Sequence, residues 1–229
     1  MLQLNTLIFD NPITFFVGEN GTGKSTLLEA IAIKYGFNPE GGGTLNFNFH
    51  TNNTHSSLHH AIILDRGYRR PDEGFFLRAE SFYNVATQLE WYEKNVFNPY
   101  RYYGGKSLHQ QSHSESFLTL IQNRFNQNSL YILDEPEASL SPQRQLTLLI
   151  TIYELAKQGS QFIIASHSPI LLGIPGAKIL NFDSKEITPI DYQDTESYQI
   201  TELFINNRAG LLNKLLNKII YPFNMILFL

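Results

Sequence analysis

The chain has 229 residues, enough to bury a sizeable core within one α/β domain. Its 17 basic residues stand against 21 acidic ones, and the formal net charge of −4 argues against a general nucleic-acid binder. The absence of cysteine excludes a disulfide scaffold and thiolate metal sites. No basic-then-apolar leader opens the chain, and the most apolar stretch, 219–229, is 11 residues broken by Pro222 and Asn224, too short to span a bilayer. A soluble, cytoplasmic protein is expected.

In chain order, residues 13–17, "ITFFV", form a β-branched and aromatic run that reads as a buried strand. "GENGTGKST" follows at 18–26, where Gly18, Gly23, Lys24 and Ser25 fit G-x-x-x-x-G-K-[ST], the phosphate-binding loop. Glycines at 18, 21 and 23 allow successive backbone N–H groups to turn inward toward a triphosphate. Lys24 is placed to neutralise the β- and γ-phosphates, and the Ser25 hydroxyl to ligate Mg²⁺. Asn20, Gly21, Thr22, Gly23, Lys24, Ser25 and Thr26 are therefore the expected nucleotide contacts, Thr26 in the first turn of a helix whose dipole favours anions. That helix is expected from the spacing of Leu27, Leu28, Ile31 and Ala32, with Gly36 as its stop.

Residues 36–60 are polar and rich in glycine and asparagine, with "TLNFNF" alternating like an edge strand. His50, His55, His59 and His60 cluster here. His55 and His59 share a helix-face spacing suited to metal, but neighbouring acids are absent until Asp65, so a solvated loop is expected. "RGYRR" (66–70) and "RYYGGK" (101–106) mix cations with aromatic rings, as single-stranded nucleic acid would require, yet two or three charges each favour a solvated rim. "GFFLRAE" (74–80) reads as a strand, 81–95 as a helical run and 98–111 as a turn-rich connector. Then the pattern becomes regular: helix 114–125, strand 129–135, helix 141–159, strand 161–166 and strand 177–183. Alternating strands and helices predict a single α/β domain with a mostly parallel sheet flanked by helices. A small helical subdomain is expected near 80–128. A C-terminal helical tail over 206–229 carries the amphipathic stripe 206–220, which is expected to pack on the sheet or on a partner.

The run Leu130–Leu133 ends abruptly in Asp134 and Glu135. A buried strand that delivers an acid beside the phosphate loop gives Mg²⁺ a second protein anchor, which is the role expected of Asp134. Glu135, one step on, is expected to point toward the γ-phosphate and to orient or deprotonate the attacking water. The plainer alternative is two acids capping the next helix, but Ser141 with Pro142 at its first position already does that.

"DEPEASLSP" after an apolar strand resembles the ATP-binding-cassette ATPases, and "IIASHSP" adds His167 after a later strand, where that family keeps a switch histidine. The resemblance implies that His167 hydrogen-bonds the γ-phosphate and senses its loss. It also implies a signature segment that reaches across a head-to-tail homodimer to the partner's ATP. "SHSES" (112–116) stands where that segment is expected, so Ser112, Ser114 and Glu115 are candidate nucleotide contacts in trans; taken alone, Ser112 or Ser114 would read as a helix cap. Small stand-alone bacterial relatives carry glycine where Ser114 stands. Only 17 residues precede Gly18, so the adenine contacts stay unassigned and the N-terminus looks short for the family. Glu80 is the candidate for the glutamine-loop position.

Transporter cassettes typically place threonine after Asp-Glu-Pro, where this chain has Glu137. The pattern is more like chromosome-maintenance, RecF-like and defence-associated ATPases. The implied activity is Mg²⁺-dependent ATP hydrolysis. Two rivals are a cassette serving a transporter and a nucleotide-dependent binding switch with little turnover. Nucleic-acid contact is the minority expectation, and a further protein partner stays open.

Overall fold

The computed structural model describes residues 6–39, 41–43, 56–67, 70–79, 82, 86, 87 and 105–216. The strands are β1 (Ile13–Val17), β2 (Gly42–Gly43), β3 (Gly74–Arg78), β4 (Leu130–Asp134), β5 (Gln161–Ala165), β6 (Lys178–Asn181) and β7 (Thr188–Pro189). The helices are α1 (Lys24–Tyr35), α2 (Leu58–Ala61), α3 (His113–Arg124), α4 (Pro142–Lys157), α5 (Pro169–Leu172), α6 (Glu196–Asn206) and α7 (Arg208–Leu216). All strands join one sheet in the order β2-β3-β4-β5-β1-β6-β7. The five central strands run parallel, and β2 and β7 pair antiparallel at the two edges. The expected mostly parallel sheet is present. The runs expected at 44–49 and 88–95, His50, His55, Glu80 and the tail 219–229 lie outside the described residues.

Both faces of the sheet are covered, which is why all five residues of β1 are buried rather than every second one. Within each strand the side chains still alternate. Phe15, Tyr131, Leu133, Phe162 and Ile164 pack with Phe117 and Leu120 of α3, Leu148 and Ile152 of α4, and Leu171 of α5. Phe16, Phe76, Ile132, Ile163 and Ala165 point the other way, into a cluster with Leu27, Leu28 and Ile31 of α1. Each of the leucine, isoleucine and phenylalanine side chains among them contributes roughly 1.5–3 kcal/mol relative to exposure.

Helix α1 ends at Gly36, whose φ of 111° lets its N–H reach back to Ala32 and Ile33. Arg66 donates to the Tyr35 carbonyl at 2.9 Å and lies 4.5 Å over the Tyr35 ring, so this arginine of the 66–70 run closes a helix end. Helix α4 opens as expected, with Ser141 Oγ accepting the Arg144 N–H and Pro142 in the first turn. No helix among the described residues is long and apolar enough to cross a membrane.

Gly74 opens β3 at a point of close approach. A Cβ there would lie 2.9 Å from the Leu130 carbonyl oxygen and 2.7 Å from Cζ of buried Phe37. Gly74→Ala must displace backbone of the neighbouring strand. We expect a loss of about 1–3 kcal/mol, read as a lowered denaturation midpoint with unchanged slope. An unchanged midpoint would show that the β3–β4 edge relaxes freely.

Candidate functional site

Parallel strands deliver their following residues to one edge of the sheet, and there the strand ends converge. Phe16 pairs with Ala165, and Asp134 pairs with Ala165 from the other side. The 18–26 loop after β1, Asp134 and Glu135 after β4, and His167 after β5 therefore share one edge. β5, which lies between β1 and β4, sets their spacing.

The loop has the backbone it was expected to have. Gly18, Gly21 and Gly23 adopt φ values of 140°, 87° and 99°. Gly23 caps α1 without a side-chain acceptor, leaving the first-turn N–H groups, including those of Ser25 and Thr26, without the intrahelical partners that later residues find. Asn20 and Thr26 are exposed, while Thr22 donates its hydroxyl to the Glu19 carbonyl at 2.9 Å. Lys24 is only 4% exposed. Its ammonium curls back onto the loop, donating to the carbonyls of Gly18 and Glu19 at 2.6 and 2.7 Å. Burial pushes its pKa below the ordinary lysine range, opposed by the charges of Glu135, Asp183 and Asp134.

Ser25 Oγ donates to Asp134 Oδ1 at 2.8 Å, joining residues 109 positions apart in the chain. The other carboxylate oxygen of Asp134 faces Arg78, with Nε at 3.4 Å. Arg78 in turn pairs with Glu29 of α1 at 2.8 Å. Asp134 is thus turned by an arginine on one side and offers its other oxygen to Ser25. A serine hydroxyl and a carboxylate side by side are hard oxygen donors, the set that Mg²⁺ prefers.

Glu135 adopts a left-handed backbone, φ 49° and ψ 50°, and its N–H donates to the Ala165 carbonyl at 3.0 Å. A non-glycine residue in this region is strained and is held there by its surroundings. His167 Nε2 lies 3.8 Å from Glu135 Oε1. The flanking serines shape the histidine turn. Ser166 Oγ accepts the Ser168 N–H, and Ser168 Oγ accepts from Ile170 and Leu171 while donating to Gln145 Oε1 at 2.6 Å. Glu137 completes it: Oε1 accepts the His167 N–H at 2.6 Å. Burial raises the Glu137 carboxyl above the ordinary range, and the hydrogen bond from His167 opposes that rise.

The 112–116 segment stands apart. Ser112 precedes α3 without a side-chain cap bond, and its hydroxyl lies 3.4 Å from Glu115 Oε2. Ser114 Oγ accepts from the Arg144 guanidinium. Among the described residues, no hydrogen bond or ion pair joins Ser112, Ser114 or Glu115 to the 18–26 loop.

Sequence reading gave no site role to three residues, Asp183, Arg78 and Glu137. Asp183 accepts the Glu19 N–H at 2.6 Å and lies so close to Gly18 that a Cβ there would meet Oδ1 at 2.8 Å. Its signal was available, since it follows an apolar strand just as Asp134 does. Arg78 and Glu137 lie one step inside motifs already singled out, yet nothing in their spacing shows which backbone or carboxylate each would meet. Among the described residues, no histidine or acid cluster is placed to hold a metal on its own; His59 and His60 stack on each other.

The family model described as an AAA ATPase domain matches residues 113–172, the stretch carrying Asp134, Glu135 and His167. An uncharacterized ABC transporter ATP-binding protein of Haemophilus influenzae is 26% identical over 197 residues, covering 77% of this chain and 72% of that protein. Among solved structures, an ABC transporter of metal-chelate type in an inward-facing conformation is 21% identical at a TM-score of 0.43, covering 84% of this chain and 78% of its own. The SMC head domain from Thermotoga maritima is 16% identical, also at 0.43, covering 81% and 92%. The chain is thus similar to AAA and ABC-type ATPase domains, the matched stretch holding the Asp-Glu strand end and the following histidine that face its phosphate loop.

Proposed function

We propose that the chain hydrolyses Mg·ATP between two copies of itself, as a member outside the transporter branch. The 2.8 Å contact between Ser25 and Asp134 carries this reading, because it puts two hard oxygen ligands beside the phosphate cradle and one residue from Glu135. Mg²⁺ held by Ser25 and Asp134 would neutralise phosphate charge. Lys24 binds the β- and γ-phosphates, exchanging its two loop carbonyls for them, and the first-turn amides of α1 hold the remaining oxygens. Glu135 takes a proton from the attacking water as its oxygen bonds to the γ-phosphorus and the β–γ bridging oxygen leaves with ADP. His167 holds the γ-phosphate and loses a partner when it departs.

The detached 112–116 segment supports an assignment in trans: its exposed serine and helix start have no hydrogen bond to the chain's own loop among the described residues. Glu137 supports a branch distinct from transporter cassettes. A second reading, a nucleotide switch with slow turnover, draws on the Ser114 hydroxyl being engaged by Arg144.

The test is phosphate release by the purified chain, with and without Mg²⁺ and duplex DNA. Mg²⁺-dependent turnover is expected, and the net charge of −4 predicts DNA binding no tighter than about 10⁻⁶ M at physiological salt, falling steeply as salt rises. Tight ATP binding with no phosphate release would favour the switch. Nanomolar duplex binding would overturn the charge-based expectation.

A further inference from the structure

Glu137 does more than mark a branch. It sits in the short turn Pro136–Ser139, immediately after the candidate base, and its side chain leaves that turn to meet the neighbouring strand's loop. Oε1 takes the His167 N–H at 2.6 Å, a charge-assisted bond to the backbone of the residue whose imidazole faces Glu135. Oε2 is shut away from solvent and the Ser166 hydroxyl lies close to the carboxyl, so the side chain bridges the two loops.

Three links therefore tie the loop after β4 to the loop after β5. The Glu135 N–H donates to Ala165, Glu137 accepts from His167, and the imidazole lies 3.8 Å from Glu135. The first two fix backbone, and the third depends on them. Without the Glu137 acceptor, the His167 N–H would lose its partner, while Ser166 and Ser168 on either side would stay anchored through the Phe16 carbonyl, the serine hydroxyls and Gln145.

We infer that Glu137 is a positioning residue for hydrolysis: its carboxylate, by accepting the His167 N–H, holds the imidazole and Glu135 in the mutual placement that the γ-phosphate and attacking water require. This rests on the roles proposed above for His167 and Glu135. A displacement of about 1 Å at a reacting centre costs up to about 10²-fold in rate. The effect belongs in kcat, because neither Glu137 nor the His167 N–H is part of the cradle that binds the β-phosphate.

The experiment is steady-state ATPase kinetics of Glu137→Ala, Glu137→Gln, His167→Ala and the double variant Glu137→Ala/His167→Ala, with thermal melts of each. Glu137→Ala is expected to lower kcat about 10- to 100-fold with KM within about threefold of the parent. Glu137→Gln keeps an acceptor oxygen at the same reach and should restore kcat to within about threefold. The double variant should be no slower than His167→Ala alone, because the two act as one unit. A residue that merely supports the fold would lower the melting temperature, add its loss to that of His167→Ala, and show no rescue by glutamine. Unchanged kcat in Glu137→Ala, equal damage by alanine and glutamine, or additive losses would each overturn the inference while leaving the catalytic reading intact. A His167→Ala chain with full activity would overturn both. Should Glu137→Ala fail to melt cooperatively, Glu137→Asp pulls the carboxylate back by one methylene; it should reduce kcat in the same direction, and full activity there overturns the inference.

Discussion

Glu135→Gln will bind Mg·ATP as the parent does and hydrolyse it about 10²–10⁴-fold more slowly. The amide has the carboxylate's shape, so the strained backbone at φ 49° and the bond from its N–H to Ala165 stay in place. An amide cannot take a proton from water, and only the chemical step suffers. ATP then persists in the site, and if the 112–116 segment of a second copy completes that site, a dimer accumulates with ATP because the ligand favours the closed state. Adding Ser112→Arg should abolish the dimer and leave ATP binding by the single chain intact. Light scattering with and without Mg·ATP reads both. A Glu135→Gln chain that stays monomeric at saturating ATP removes the trans role of Ser112, Ser114 and Glu115.

Lys24→Ala should abolish ATP binding, because the phosphate charge loses the one cation that the loop provides. Its effect on the fold runs the other way. The buried ammonium has a pKa below that of an unfolded chain, so between the two values the unfolded state holds more protons and stability rises with pH. Below the folded-state value the folded chain bears the whole cost of the buried charge, and removing the charge relieves it. The unliganded variant is therefore expected to melt no lower than the parent at pH 7. Nucleotide at about 100 times its Kd should stabilise the parent by about 2.7 kcal/mol and leave the variant unmoved. An equal Mg·ATP-induced shift in both proteins would show that the loop is not the site.

Much of this site was legible because the loop chemistry is local. The glycines that must adopt positive φ are spaced by the loop itself, and Asp134 and Glu135 announce themselves by ending an apolar run. Strands β1, β3, β4, β5 and β6 were legible for the same reason: each is a short apolar run bounded by polar residues. Legibility failed where a side chain's meaning depends on what a distant segment brings to it. Arg78 reads as an ordinary strand residue until the register of β3 against β4 pairs it with Asp134. Glu137 reads as a substitution for threonine until the loop after β5 supplies an N–H. The strand order was equally hidden, since nothing in the chain says that β5 lies between β4 and β1. Arg66 lies exposed, as a solvated rim was expected to, but its contacts with a tyrosine ring and a helix end were hidden in the same way.

The two-residue strand β7 has a consequence for how copies of this chain can meet. It closes one margin of the sheet with Thr188 opposite Asn181 and Pro189 opposite Leu180, both exposed. Proline has no N–H to offer, and a strand of two residues gives an incoming segment almost nothing to zip against. The ion pair of Lys178 with Asp10 at 2.8 Å adds charge beside the same margin. Amyloid-like lateral growth from this side is thereby discouraged even though five parallel, largely buried strands lie just behind it. A second chain arriving at this flank finds no backbone ladder to extend, so any pairing of copies that shares a small molecule at the strand tips need not compete with pairing along this edge.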